Sequence, residues 1–266
     1  MSAATSRSTD TGVPMAVAVR FAVSVALFLI VANAPYAWLM ANFGYDDILR
    51  EPAGVILERF NQGGAPLRLA WLAFAIGALL FIPVALAFRA LLGTQRVEPG
   101  GAAVLGVASA IAQATGLLRW VLVVPALAAA YTDPSADQQV RQMLLITFET
   151  VHRFAGGVVG EMLGQLLLAG WTAMTVVQLA RSALVPSWLV WTGAATPPLW
   201  VLGQSELLND VVPAIPSIEV IPLAFMLWEA WLAMLAATVV WRAVLAARQA
   251  AAKPVGPVPA DLARGQ

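Results

Sequence analysis

The chain contains no cysteine and a single histidine, His152. It can therefore build no disulfide, cysteine-ligated zinc, iron–sulfur cluster or thiol nucleophile, and one copy cannot supply a multi-histidine metal centre. Charge is scarce too: 11% of residues are charged, against about 25% in an average soluble domain. The 15 basic and 15 acidic residues cancel, leaving no basic excess of the kind that attracts nucleic acid. No Walker loop, GxSxG elbow, HExxH or aspartate-rich diphosphate motif occurs, so the familiar nucleotide-driven and hydrolytic chemistries are not encoded. What fills the chain is apolar: 60% hydrophobic residues and a mean hydropathy of +0.79. Such a composition calls for lipid as the solvent.

Six apolar stretches, each near the roughly 20 residues needed to cross a bilayer, lie at about 14–40, 67–92, 102–131, 154–180, 184–202 and 221–246. The reading is an all-α polytopic bundle of six transmembrane helices over 14–250, with disordered tails at 1–13 and 251–266. Between the first two spans, Ile48, Leu49, Val55, Ile56 and Phe60 predict a short amphipathic helix lying at the interface. Basic residues orient the bundle, because Lys and Arg flanking the spans stay cytoplasmic. Arg7, Arg20, Arg89, Arg96, Arg181, Arg242, Arg248, Lys253 and Arg264 fall on one face. Arg50, Arg59, Arg68 and Arg141 on the other are diluted by Asp46, Asp47, Glu51, Glu58, Asp133, Asp137, Glu206, Asp210 and Glu219. Both termini are therefore expected in the cytoplasm. Ala32, Asn33 and Ala34 resemble a signal-peptide cleavage site, but Pro35 directly after them disfavours the cut, so the first span reads as an uncleaved anchor.

The fourth span carries the polar residues that matter. Over ETVHRFAGGVVGEMLGQ, α-helical spacing places His152, Gly156, Gly160 and Gly164 on one stripe and Glu149, Arg153, Gly157, Glu161 and Gln165 beside it. Gly156, Gly160 and Gly164 form a glycine zipper that lets a second backbone approach closely. Charges at membrane depth face a bundle interior or pair with one another. Counting inward at about 1.5 Å per residue puts Glu161 about 10 Å deep, Glu229 about 13 Å and Arg119 about 16 Å. Arg119, Glu161, Glu229, Gln165 and Gln113 are thus expected to form one buried polar layer. Within it Arg119 pairs with Glu161, Glu229 being the other candidate acid. Glu149, His152 and Arg153 form an outer cluster. The Glu149-x-x-His152 spacing is half of a di-iron motif, and one histidine cannot complete it, so no metal or cofactor is expected. Glu149 also precedes Arg153 by four residues, the spacing of an intrahelical ion pair. Pro197 and Pro198 are expected to interrupt the fifth span in its outer half. Of the tryptophans, Trp38, Trp71, Trp188 and Trp241 fit the membrane interfaces, while Trp120, Trp171, Trp191 and Trp228 lie deeper.

The segments GLLRWVLVVPALAAAYTDP and VHRFAGGVVGEMLGQLLLAGW resemble a bacterial integral membrane family known as domain of unknown function 4386. The resemblance covers the chain from about the second span onward and is most specific in RW, VVP, the His152 region and GEMLG. It implies a multi-helical protein, multi-pass in the bacterial inner membrane, and carries no activity over to Arg119, Trp120, His152, Gly160, Glu161 or Gly164.

Three functions remain open. A transporter-like or ligand-binding bundle would hold a small hydrophobic or anionic ligand at Arg119, Glu161 and Glu229, reached through a water-accessible cavity. A membrane enzyme would use His152 and Glu149 as acid and base behind a lateral opening to lipid. A non-catalytic subunit or scaffold would have a filled interior. The two halves of three spans have opposite topology, as in inverted-repeat transporters, without detectable similarity between them.

Overall fold

In the computed structural model, the described residues are 13–94, 101–182, 184–209 and 211–252. Arg7, Arg96, Asp210, Lys253 and Arg264, and both expected tails except Val13, Ala251 and Ala252, lie outside them. All regular structure among the described residues is helical. Five helices are long and apolar enough to cross a membrane: Met15–Phe43, Ala53–Gly93, Ala102–Tyr131, Gln138–Ala180 and Ile221–Ala252.

Prolines set the breaks inside these rods. The first, α1 (Met15–Phe43), keeps Pro35 within it and ends at Gly44, whose φ of 75° suits a left-handed cap and whose N–H bonds Leu39 O. After a 3-10 turn (Asp47–Arg50), α2 (Ala53–Leu79) bends at Gly64, where φ is 55°. It breaks at Leu80 into α3 (Phe81–Gly93), with Pro83 in the first turn. The next rod is α4 (Ala102–Leu122) and α5 (Val124–Tyr131), broken just before Pro125. The fourth joins α6 (Gln138–Val151) to α7 (Gly164–Ala180) through a π-helical segment, His152–Leu163. The last, α10 (Ile221–Ala252), is a single helix.

The expected span at 184–202 is two short helices, α8 (Ser187–Ala194) and α9 (Thr196–Asn209). The break comes at Ala195, earlier than expected, and Pro197 and Pro198 open α9 instead of ending a helix. Proline is tolerated in a first turn, where no intrahelical acceptor awaits its missing N–H. Thr196 Oγ1 caps the seam by donating to Gly193 O at 3.0 Å.

The expected interfacial helix is fused to the second rod. Ile48, Ile56, Leu57 and Phe60 are buried in the bundle, while Val55 is exposed. Their partners are aromatic: Trp71 and Trp120 stack at 4.7 Å and 12°, and Phe60 lies on Trp120 at 5.6 Å. Phe43 and Phe148 meet Trp120 edge-on. This outer core occupies the end of the bundle bearing the 44–52 and 211–220 connections. A second core toward the other end gathers Phe21, Phe28, Phe81, Phe88, Trp171, Trp228 and Trp231. Trp71 and Trp191 reverse the expectation: Trp71 is fully buried and Trp191 is 74% exposed. Linear position gives depth, whereas azimuth decides whether a ring meets neighbours or the outside. Val104, Ile30, Leu122 and Leu69 are exposed as well, an apolar exterior that suits lipid contact.

Candidate functional site

The site forms where α4 crosses the π-helical segment. This stretch, HRFAGGVVGEML, contains Gly156, Gly157 and Gly160, residues that weaken the α-helical preference. Its turns are wider, and the Gly164 N–H reaches back five residues to Val159 O.

Three small positions face α4 in succession. A methyl group added to Gly156 would stand 2.5 Å from Arg119 Cζ, one on Gly160 2.9 Å from Gly116 Cα, and one on Gly164 2.6 Å from Gln113 Cγ. Arg119, Gly116 and Gln113 are spaced by three on α4, so their shared face lies along the glycine edge of the partner.

Arg119 is 6% exposed. Its Nη1 donates to Gly116 O, its Cζ lies 5.2 Å from the Trp120 ring centroid, and its Nε has no acceptor. No described acid forms an ion pair with it. Glu161 is half-buried, has no direct hydrogen-bond partner among the described residues, and lies within electrostatic reach of Arg119, Glu206 and Asp46. The expected contact pair is thus a longer-range interaction. Glu229 is elsewhere: it accepts from Asn33 Nδ2 at 3.0 Å, because α10 packs against α1 and not against α4. A shared height did not make these residues neighbours.

The other polar residues separate similarly. Gln165 Oε1 accepts from Gln204 Nε2 at 2.8 Å, joining α7 to α9. Gln113 Nε2 donates to Ser109 Oγ at 2.9 Å, and Ser109 in turn donates to Gly164 O at 2.8 Å. His152 stacks on Phe148 at 5.3 Å and meets Trp120 edge-on at 5.8 Å, with Nδ1 buried and unpartnered. Glu149 and Arg153 are exposed and form no ion pair with each other. The π-helix begins between them and changes the i,i+4 geometry. No hydrogen bond joins Glu149 to His152 among the described residues, so the acid–base pair imagined for an enzyme is not assembled.

Charges read only as loop residues make the strongest ionic cluster. Arg50 meets Glu206 at 2.8 Å, Asp47 at 3.5 Å and Glu219 at 3.6 Å. The hydrogen bond to Glu206 holds its guanidinium protonated above the ordinary arginine range. Asp46 accepts from Tyr36 Oη at 3.1 Å, and burial raises its carboxyl above the usual range. Burial, reinforced by Asp46 and Glu161, likewise raises the Tyr45 phenol. The only sequence trace of this cluster was the density of acids flanking α9 and the 3-10 turn.

A cavity of about 20 Å³ is lined by Phe28, Ala78, Phe81, Gln113, Leu168, Phe225 and Trp228, room for one water. A groove of about 420 Å³ between α1 and α2 is lined by Ala34, Pro35, Trp38, Pro66, Leu69, Ala70 and Ala73. Neither touches Glu161 or His152.

These features define an all-helical protein compatible with multi-pass membrane insertion, with an arginine enclosed at a helix crossing. The family model of a domain of unknown function, DUF4386, matches residues 21–235, and the chain belongs to that family. The match begins inside α1, so the first helix belongs to the family domain together with the later ones. No curated protein and no solved structure matches the chain.

Proposed function

We propose that this protein is a six-pass membrane protein of the bacterial inner membrane, both termini cytoplasmic, that binds a small anionic ligand at Arg119. On this reading α8 and α9 together make the fifth pass, and the glycine edge of the π-helical segment is the packing seam that encloses the site. One observation carries the ligand reading: Arg119 is a buried cation with, among the described residues, an unpartnered Nε and no ion pair. Trp120 Nε1 and Trp71 Nε1, on rings stacked beside it, are also buried without acceptors. All three are donor-only groups, and each costs about 1–3 kcal/mol when buried unpaired. An anion at Arg119 supplies the acceptor that its Nε lacks. Glu161, within electrostatic reach of Arg119 and without an ion pair to it, offsets part of its charge.

Native mass spectrometry of the protein extracted from its own membrane tests this. The expected result is a co-purifying anionic small molecule, absent from the Arg119→Met variant. A bare mass for both proteins would reject it.

The tight Gly116–Gly160 crossing and the aromatic-filled cores favour a second reading, a scaffold in which Arg119 only supports packing. On that reading no mass is lost, and Arg119→Met changes stability alone.

A further inference from the structure

We propose that Arg50 is a latch that holds the acidic end of the bundle closed over the Arg119 site; this gating role rests on the ligand-binding reading above. Arg50 ends the 3-10 turn between α1 and α2, and its guanidinium joins three segments. Nη2 bonds Glu206 on α9 at 2.8 Å and meets Glu219 in the α9–α10 connection at 3.6 Å, while Nη1 holds Asp47 of its own turn at 3.5 Å.

The tied segments connect to the site through packed rings: Tyr45, just before the 3-10 turn, meets Trp71 edge-on at 5.1 Å, and Trp71 stacks on Trp120 beside Arg119. Tyr45, just before the turn, is within electrostatic reach of Arg119 and Glu161, and both Asp46 and Glu206 are within reach of Glu161. Ile48, 1% exposed, drives the turn into the outer aromatic core like a plug. The α9–α10 connection moves with the end of α9, because Ile218 N donates to Ser205 Oγ at 3.2 Å and Asn209 Nδ2 donates to Ile215 O. A methyl on Gly157 would lie 3.7 Å from Leu207 Cδ2, so α9 touches the π-helical segment at that position.

The latch has the right strength to open. Arg50's side chain is 52% exposed, so its ion pairs are individually weak and screened by salt. The apolar anchor at Ile48 gives the closed state its geometry, and the charges bias it.

The chain has no native cysteine, so one introduced thiol reports without background. In full-length protein reconstituted in nanodiscs, Gly157→Cys places a thiol beside Leu207 of α9, and its reaction with a charged, water-soluble maleimide reads movement of α9. Labelling is expected to be slow with Arg50 present and to rise at least about fivefold with Arg50→Gln. It should rise similarly in about 1 M NaCl, where the screening length is about 3 Å, with no further salt effect in Arg50→Gln. Arg181→Gln, an exposed arginine at the end of α7, should change nothing, and the charge swap Arg50→Glu with Glu206→Arg should restore slow labelling in part, since Asp47 and Glu219 then face a carboxylate. Amide hydrogen exchange over residues 44–50 needs no thiol, and the same rise is expected there in Arg50→Gln.

Rates insensitive to Arg50 and to salt in both measurements would overturn the latch. Neither measurement requires a ligand. Salt-released labelling in a protein that carries no anion keeps the latch mechanics and rejects the binding site, whereas a co-purifying anion with Arg50-independent rates keeps the site and rejects the latch.

Discussion

Gly116 of α4 and Gly160 of the π-helical segment meet backbone to backbone. A methyl on Gly116 would stand 2.6 Å from Gly160 Cα and 3.0 Å from Ala155 O. Backbone cannot yield as a flexible side chain can, so Gly116→Ala must push the two helices apart. The expected cost is about 1–3 kcal/mol, read as a lower melting temperature, and Gly160→Ala should behave alike. Gly93→Ala has nothing within 4 Å and should be neutral or stabilising by about 0.4–1 kcal/mol. Equal effects at Gly116 and Gly93 would contradict the crossing.

Arg119→Met should separate ligand binding from folding. A buried cation without an ion pair is costly, and an apolar side chain of similar reach packs against Gly156 without that penalty. The melting temperature of ligand-free protein is expected to hold or rise while ligand retention is lost. A large fall in stability would mean that the guanidinium holds the crossing together.

Gln165 and Gln204 offer a double-mutant cycle. Gln204→Leu strips Gln165 Oε1 of its donor in a buried setting, an expected loss of about 1–3 kcal/mol. Adding Gln165→Leu removes the orphan and should recover part of that loss, with a coupling of about 0.5–3 kcal/mol between the sites. Strictly additive melting shifts would show that the pair does not form.

Asp46 and Asp133 should give pH slopes of opposite sign. Burial raises the folded pKa of Asp46 above its ordinary 3.8, so the fold favours its neutral form. Its contribution is full below 3.8 and is lost as pH rises through the folded value. Asp46→Asn should flatten that part of the stability profile. Asp133 accepts from Ser135 Oγ and N, both at 2.7 Å, which lowers its folded pKa. Its contribution is present above 3.8 and fades as pH falls through the folded value. Ser135→Ala should weaken that fall. Melting temperatures followed across this acid range test both signs.

Much of the architecture was legible along the chain because transfer into hydrocarbon depends on composition over a window, whatever the neighbours. The rods at Met15–Phe43, Ala102–Tyr131 and Ile221–Ala252 follow the expected spans closely. Gly156, Gly160 and Gly164 stood out as a small-residue edge, and they do face α4. The π-helix did not stand out, since the same residues fit an α-helical pattern and only the i→i+5 backbone bonding distinguishes the wider turn. Trp71 was misplaced for a related reason: its depth near a helix end was correct, but its direction was toward Trp120.

By itself the sequence determined an apolar, all-helical chain with few charges and no thiol chemistry, and it marked Arg119 and Glu161 as residues too expensive to bury without cause. Tertiary structure decided the partners: Glu229 with Asn33, Gln165 with Gln204, Arg50 with Glu206, and Arg119 with no acid in contact. Hydropathy accumulates along one dimension, whereas a hydrogen bond or ion pair needs two helices at the right azimuth within a few ångströms. That information resides in how the helices pack.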